Sequence, residues 1–142
     1  MAQVEAMQRT LRAEHAAVQV LAELGGRVSV SESPGAAALI RSAYETHRAR
    51  RDFLVGEITR RGATPVGAEP AYDVDTSDRS ASALLRTALR TESRCAEAYA
   101  DQVARSTGRI RLWAVDALTE SARRALALGG SPSAYPGLTE LA

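Results

Sequence analysis

The apolar and polar positions of the chain repeat with a helical period over four separate stretches. Advancing about 100° per residue, Val4, Met7, Leu11, Val18 and Leu21 fall on one side of the first stretch, and charged residues fall on the other. The same periodicity predicts helices at about residues 2–24, 34–61, 78–104 and 109–128. The remaining tail, residues 131–142, is too short to fold alone and is expected to lie against the helices.

The links between these helices predict how the helices are arranged. Two links are short and make antiparallel hairpins, whereas residues 63–77 contain Pro65, Gly67 and Pro70 and have no helical period. Fifteen residues can span about 50 Å, which exceeds the roughly 35–40 Å length of helices of this size. The sequence therefore predicts an all-α four-helix bundle with one long crossover, formed by a single domain over residues 1–142. In the alternative, the long link only bulges out from the bundle.

Polar residues lie on the apolar side of three of the helices, near the helix midpoints. These residues are Glu14 on the first helix, His47 and Arg51 on the second, and Glu92 on the third. Because an isolated buried charge is very costly, and because midpoints of bundled helices share one level, we expect these groups to meet. Tyr44 is expected to bring its hydroxyl to the same place. We call Glu14, Tyr44, His47, Arg51 and Glu92 the predicted polar core.

The neighbouring residues add little chemistry to this core. Tyr99 is expected to direct its hydroxyl toward it, and Cys95 is interpreted as a small buried filler. The fourth helix offers only Thr119 and Ser121 near the core. Its charged residues are expected to face solvent; these are Asp116, Glu120, Arg123 and Arg124.

Four local phrases resemble a known family. They are Leu11-Arg-Ala-Glu14-His15, Tyr44-Glu-Thr-His47-Arg-Ala-Arg-Arg51, Trp113-Ala-Val-Asp-Ala-Leu118 and Tyr135-Pro-Gly-Leu138. Through them the chain resembles the ferritin-like superfamily, and in particular a family of ferritin-like bacterial domains of unknown function. The resemblance implies a ferritin-like bundle with a crossover between its second and third helices. Di-iron members of the superfamily use one Glu from each of two helices and Glu-x-x-His from each of the other two.

This chain matches only half of that ligand set. Glu14 and Glu92 match the two single glutamates, and His47 matches the histidine of the first Glu-x-x-His. Tyr44 stands where that motif has its glutamate, and the fourth helix supplies no histidine. The resemblance therefore argues against a dinuclear metal site.

Three interpretations of the polar core stay open. In the favoured one, no metal or cofactor is bound, and Arg51 pairs with the carboxylates of Glu14 and Glu92, because a guanidinium forks onto carboxylates and stays charged. In the second, Glu14, His47 and Glu92 hold a single iron, manganese or zinc ion, in a metal-binding protein or oxidoreductase. In the third, one or more of these side chains face solvent instead.

The composition argues against two classes of protein but does not indicate an activity. A net charge of +1 is not typical of a nucleic-acid-binding protein, and no apolar run reaches the roughly 20 residues that cross a bilayer. The first residues lack the pattern of a signal peptide, so a cytoplasmic location is expected. We interpret the chain as a non-catalytic binding or self-association module. Its expected partner is a second copy, contacted through Leu39, Phe53 and Trp113, which lie off the main apolar arcs; in the alternative, these three side chains contact loops and the tail of their own chain.

Overall fold

The fold is a bundle of four helices. A computed structural model describes residues 1–75 and 77–138. These residues form α1 (Ala2–Gly25), α2 (Pro34–Arg60), α3 (Ala81–Arg105) and α4 (Gly108–Ala127), and they contain no strand. The predicted all-α four-helix bundle is confirmed, and of the predicted tail, residues 139–142 lie outside the described residues. None of the described helices combines the length and apolar character needed to span a membrane.

The third helix begins three residues later than the sequence pattern indicates. Ser80 is its N-cap, because the Ser80 hydroxyl accepts a hydrogen bond from the Ala83 N–H at 3.3 Å. Asp78 lies before the helix, where its carboxylate accepts a hydrogen bond from the Ser80 N–H at 2.8 Å. A side chain that bonds to the free N–H groups of the first turn sets the start of a helix.

Helix α1 is antiparallel to both α2 and α3. The short link 26–33 turns the chain back from α1 into α2. Against α3, Gln3 at the start of α1 accepts a hydrogen bond from the Thr107 N–H, just beyond the end of α3. One and a half turns further along α1, Arg9 pairs with Asp101 at 2.9 Å. Helices α2 and α3 therefore run parallel, and the link 61–80 has to return along the bundle.

That crossover follows the surface of α1. The Gln8 side chain donates to the Thr64 carbonyl at 2.7 Å and accepts from the Val66 N–H at 2.8 Å. Two turns later, His15 Nε2 lies 3.0 Å from the Val66 carbonyl oxygen. His15 thus holds the crossover against the bundle.

The core has two apolar halves with a polar layer between them. One half contains Met7, Leu11, Leu54, Ile58 and Ile110, and the other contains Ala17, Leu21, Leu24, Ile40, Ala43, Leu84, Ala88, Cys95, Tyr99, Ala117 and Leu128. Glu14 lies on α1 between Leu11 and Ala17, where the two halves meet, and it is fully buried. The polar layer is therefore enclosed by hydrocarbon on both sides along the bundle axis.

The three side chains expected to form a free apolar patch pack within the chain. Phe53 and Trp113 stack with their ring centroids 4.7 Å apart, and Trp113 contacts both apolar halves. Leu39 packs against the half that contains Leu21. These contacts leave Leu39, Phe53 and Trp113 half-buried, because positions beside an apolar arc face neighbouring helices here. The homodimer, and the part of these side chains in it, stay predictions.

Candidate functional site

His47 lies at the centre of the polar layer and bridges carboxylates from two other helices. Its Nδ1 is 2.7 Å from Glu14 Oε2, and its Nε2 is 3.0 Å from Glu92 Oε2. All three residues are buried, with at most 1% of their surface exposed. A carboxylate accepts hydrogen bonds, so an imidazole that bonds to one at each nitrogen donates twice, which is the protonated form. The structure thus brings together three residues of the predicted polar core.

The titration of these groups agrees with that protonation state. Burial by itself lowers the pKa of His47, but contacts with the Cys95 thiol and the Glu14 and Glu92 carboxylates raise it well above 6.5. Burial raises the pKa of Glu92, but the hydrogen bond and the charge of His47, with further help from Ser121, bring this pKa below its usual value. The centre of the bundle is therefore an imidazolium between two carboxylates.

The buried guanidinium is that of Arg50, which the sequence reasoning missed. Only 6% of Arg50 is exposed. Its Nη1 donates to the Tyr99 hydroxyl at 3.0 Å, and its Nη2 donates to Glu120 Oε2 at 2.6 Å. Tyr99 in turn donates its hydroxyl proton to Glu14 Oε1, as a short hydrogen bond. Arg50 therefore reaches Glu14 through Tyr99 and reaches α4 directly.

Arg51 does not belong to this core, and its predicted place there is wrong. Its guanidinium pairs with the neighbouring Asp52 at 2.7 Å, on the outer side of α2. Arg50 and Arg51 follow His47 by three and four residues, so they lie on opposite flanks of the same helix face. The Arg50 flank faces Tyr99 and α4, where acceptors are available. The spacing of Ala43, His47, Arg50, Leu54 and Ile58, at steps of four, three, four and four residues, was the available signal for Arg50.

Tyr44 is also placed wrongly by the sequence reasoning. It is half-buried and packs against the apolar half that contains Leu21 and Ile40. There it lines a cavity of about 300 Å³ near the link between α1 and α2. Among the described residues, its hydroxyl has no hydrogen-bond partner in the core. Tyr44 lies one turn before His47, so its side chain reaches the neighbouring apolar layer and not the polar one.

Helix α4 contributes more polar groups than its sequence pattern indicated. The Ser121 hydroxyl donates to Glu92 Oε1 at 2.5 Å, and Arg124 Nε lies 3.6 Å from Glu92 Oε2. Arg124 also lies 3.3 Å from Glu120, and its side chain is only 10% exposed. The expectation that Arg124 faces solvent is therefore wrong, whereas Glu120 is exposed as expected and its carboxylate still pairs with Arg50. Both lie on the α2-facing side of α4, where they meet Arg50 and Glu92.

We call the resulting assembly the ion-pair network. It contains Glu14, His47, Arg50, Glu92, Tyr99, Glu120, Ser121 and Arg124. With His47 protonated, its three carboxylates face three cationic side chains, so the charges of the network balance. Buried charges are tolerated when each is paired and hydrogen-bonded in this way.

These residues do not suit a metal ion in their present arrangement. Glu14, His47 and Cys95 each bring one candidate ligand atom within 4.8 Å of the others. A metal requires a neutral imidazole nitrogen and a thiolate. Burial, only partly offset by the His47 hydrogen bond, raises the pKa of the Cys95 thiol to about 11, and both His47 nitrogens are bonded to carboxylates. The set Glu14, His47 and Glu92 fails the same test, because the imidazole lies directly between its two carboxylates.

A cavity of about 480 Å³ reaches the network from the surface. It lies between α3, α4 and the C-terminal stretch 130–138. The cavity is lined by apolar residues, chiefly Leu89, Ala96, Ala122, Ala125, Leu126, Pro132, Tyr135, Pro136 and Leu138. Glu92 and Ser121, both buried, also line it. The cavity therefore joins apolar walls to a polar inner end.

The C-terminal stretch closes one side of this cavity by packing on the backbone of α3. Gly137 has a φ of +76°, and a Cβ there would overlap the carbonyl oxygen of Ala96 and lie 3.0 Å from the Ala100 methyl carbon. Only glycine permits both the conformation and the close approach. Residues 130–138 have no helical period, so the sequence pattern could not predict that this stretch packs against α3.

Replacing Gly137 with alanine is expected to release this stretch from α3. The overlap with Ala96 and the left-handed φ together should cost well above about 1.4 kcal/mol, so the open form should gain at least tenfold in population. Hydrogen–deuterium exchange of the Leu138 amide, which donates to the Tyr135 carbonyl at 3.1 Å, measures this opening.

Gly129→Ala is the matched control for that substitution. Gly129 also has a positive φ of +94°, but a Cβ there meets nothing within 4 Å. The Gly129→Ala variant should therefore lose stability only through the strained backbone conformation at residue 129, and exchange of the Leu138 amide should stay close to that of the wild type. Equal exchange of the Leu138 amide in both variants would contradict the proposed contact between Gly137 and α3.

The fold and the site define an all-α domain with a charge-balanced ion-pair network in its core and a cavity that opens onto it. The chain belongs to the family described as Domain of unknown function (DUF4439), whose model matches residues 6–140. It is also similar to a solved structure, the crystal structure of a conserved hypothetical protein, rv2844, from Mycobacterium tuberculosis. The two chains are 30% identical, with 90% of this chain and 95% of that chain covered and a TM-score of 0.81. None of the curated protein sequences matches this chain.

Proposed function

We propose that the domain is a non-catalytic binding module whose cavity between α3, α4 and residues 130–138 receives a small, mostly apolar ligand. One observation carries this proposal: the surface of the cavity of about 480 Å³ is mainly apolar, Glu92 and Ser121 are its buried polar residues, and its other charged lining residues, Glu97 and Arg123, are exposed. Ligand sites in proteins are typically apolar clefts of about 300–1,000 Å³ with a few polar groups that fix the ligand's orientation. The cavity has that size and that distribution of polar groups.

The ion-pair network supports a particular class of ligand. Glu92 already faces His47, Arg124 and Ser121, so its charge is compensated and a cationic ligand is not required. The Ser121 hydroxyl donates its proton to Glu92 and accepts a hydrogen bond from Arg50 Nη1 at 3.4 Å, which leaves one lone pair that can accept another hydrogen bond. We therefore expect an apolar molecule that carries one neutral donor, such as a hydroxyl or an amide N–H.

The same network supports a module without catalysis. A reactive cysteine needs a lowered pKa and exposure, whereas burial raises the pKa of Cys95 to about 11. His47 is engaged at both nitrogens and fully buried, so it is not placed to exchange protons with a ligand.

A ferritin-like origin is part of this proposal. It rests on the single crossover and on the positions of Glu14, His47 and Glu92 at one level of three helices. In this view ion pairs have replaced the metal site of the superfamily.

The alternative is a metal-binding protein or oxidoreductase with one metal ion, and the proximity of Glu14, His47 and Cys95 is the observation that favours it. The protonated imidazole and thiol weigh against that alternative.

The cavity is tested with Nile red, a neutral apolar dye whose fluorescence rises on leaving water. We expect the wild-type protein to bind the dye and Ser93→Phe to bind it at least about tenfold more weakly. Ser93 lines the cavity, and a phenyl ring there takes up its space. Fluorescence titration measures both dissociation constants.

Ser82→Phe is the control, because Ser82 is an exposed serine of the same helix that does not line the cavity. It should bind Nile red like the wild type, and circular dichroism should show both variants folded. The proposal fails if the wild type binds no dye, or if the two variants bind it equally.

A further inference from the structure

Helix α4 carries an apolar stripe on the side that faces away from the bundle. The stripe consists of Leu112, Val115, Ala122 and Leu126, with the small polar residue Thr119 at its centre. These positions are separated by steps of three, four, three and four residues, which is the a/d spacing of a coiled-coil seam. Leu112 is 67% exposed, Val115 is 41% exposed and Leu126 is 47% exposed. We call these five residues the outer seam.

The outer seam is not the side by which α4 joins its own bundle. The buried residues of α4 are Ile110, Ala114, Ala117 and Ser121, which lie on the opposite side of the helix. A helix in a small bundle normally exposes charged residues on its outer side. An apolar seam there over 15 residues, from 112 to 126, is typical of an interaction surface.

We propose that the outer seam is a self-association surface, on which α4 of a second copy packs antiparallel about a two-fold axis near Thr119. Such an axis places Leu112 of each copy opposite Leu126 of the other, and Val115 beside Ala122. Because a two-fold contact is self-complementary, each of these pairs forms twice. Thr119 and Ala122 are small, so the two helices can approach closely at the centre of the contact.

Charge complementarity selects a second copy and also selects the antiparallel orientation. Asp116 and Arg123 lie on the same flank of the outer seam and are exposed. Within residues 1–75 and 77–138, neither has an ion-pair or hydrogen-bond partner. In the antiparallel contact, Asp116 of each copy lies within one residue's rise of Arg123 of the other. A parallel two-fold contact would place this flank of the two copies on opposite sides of the seam, so Asp116 of one copy would not meet Arg123 of the other.

This surface differs from the one that the sequence pattern suggested, and it does not depend on the proposed ligand. Thr119, Ala122 and Leu126 belong to both the outer seam and the rim of the cavity. A second copy would therefore lie along the α4 side of the cavity opening. Self-association is measured without dye, and the dye titration of the wild type is repeated on Val115→Arg, whose position does not line the cavity, so the failure of one proposal is distinguishable from that of the other.

Sedimentation velocity over a range of protein concentrations tests the proposal, with Val115→Arg and Val30→Arg as a matched pair. Both replace an exposed valine by arginine, but Val30 lies in the link between α1 and α2, away from the seam. We expect the wild type and Val30→Arg to form dimers, and Val115→Arg to raise the dimer dissociation constant by about 100-fold or more. A wild type that stays monomeric, or a Val115→Arg dimer of unchanged affinity, would overturn the proposal.

A charge exchange tests the antiparallel orientation. Asp116→Arg and Arg123→Asp, each alone, should weaken the dimer by roughly tenfold, because each places like charges opposite each other. The double variant exchanges the two charges and should restore the wild-type dissociation constant. A double variant as weak as its parents would show that Asp116 and Arg123 do not face each other, and would reject the two-fold axis near Thr119.

Discussion

Replacing Arg50 with alanine is expected to lower the free energy of unfolding by about 3–5 kcal/mol, the usual cost of removing one partner from a buried ion pair. Arg50 is 6% exposed, and it bonds to Tyr99 and Glu120. Without it, the Tyr99–Glu14 pair loses its neighbouring positive charge, and the network keeps three carboxylates against two cations. Urea unfolding followed by circular dichroism measures the change as a lower midpoint.

Arg51→Ala is the matched control, since it removes the same side chain one position further along α2. Arg51 pairs with its sequence neighbour Asp52 at the surface, and exposed pairs contribute at most about 1 kcal/mol. Equal losses of stability in the two variants would contradict the assignment of Arg50 to the core.

Added metal should not reverse the effect of Arg50→Ala. Iron, manganese or zinc at stoichiometric amounts is expected to leave the midpoint unchanged, because His47 and Cys95 keep their protons. If elemental analysis found about one equivalent of metal bound, and the stability recovered, the metal-binding alternative would replace the ion-pair interpretation.

The second large effect is a loss of stability as the pH rises above neutrality. The pKa of His47 in the folded protein lies well above 6.5, its value in the unfolded chain. Between these two values the folded protein binds one more proton than the unfolded chain. The stabilisation from His47 is therefore complete below pH 6.5, and it falls by about 1.4 kcal/mol per pH unit as the pH rises through this interval. Urea unfolding between pH 6.5 and about pH 8.5 measures the contribution of His47 to the free energy of unfolding. The upper limit is set by Cys95, whose thiol begins to titrate in the unfolded chain at about pH 8.5.

His47→Gln is the control for the pH dependence. Glutamine does not titrate, so this variant should be less stable than the wild type at pH 6.5 but nearly independent of pH up to about 8.5. At higher pH the raised pKa values of Cys95 and Tyr99 add further losses in both proteins. A wild-type stability that stays constant from pH 6.5 to 8.5 would show that His47 is not an imidazolium in the fold.

In acid, stability changes with pH in the opposite direction: it falls as the pH falls. The pKa of Glu92 in the folded protein lies below its ordinary value of 4.5. Its stabilisation is therefore present above pH 4.5 and is lost as the pH falls through the lowered pKa. Together with His47, this predicts a stability maximum between about pH 4.5 and 6.5.

Some features of the site could be predicted because a single helix decides them. Glu14, His47 and Glu92 lie in the middle of the apolar arcs of their helices, so any bundle built from these helices encloses them. Their position near the helix midpoints places them at one level whatever the directions of the helices. The periodicity of the sequence is therefore sufficient to predict that such residues are buried.

Residues on the flank of an arc could not be placed in that way. Arg50 and Arg51 are equally compatible with the pattern of α2, and the choice depends on Tyr99 and Glu120, which other helices bring to one flank. Arg124 shows the same dependence, since it counts as solvent-facing on α4 alone and is enclosed only when α2 packs beside it. Whether a residue on the flank of an arc is buried therefore depends on which helix packs beside that flank.

The sequence by itself therefore determined the four helices, the long link between the second and third, and the three polar groups enclosed at the bundle's centre. The tertiary structure alone decided which guanidinium balances those groups, how the stretch 130–138 seats Gly137 on α3, and where a cavity opens. It also decided that the outer side of α4 keeps an apolar seam. The physical reason is that periodicity describes one helix at a time, whereas ion pairs, cavities and free surfaces depend on groups from several helices in space.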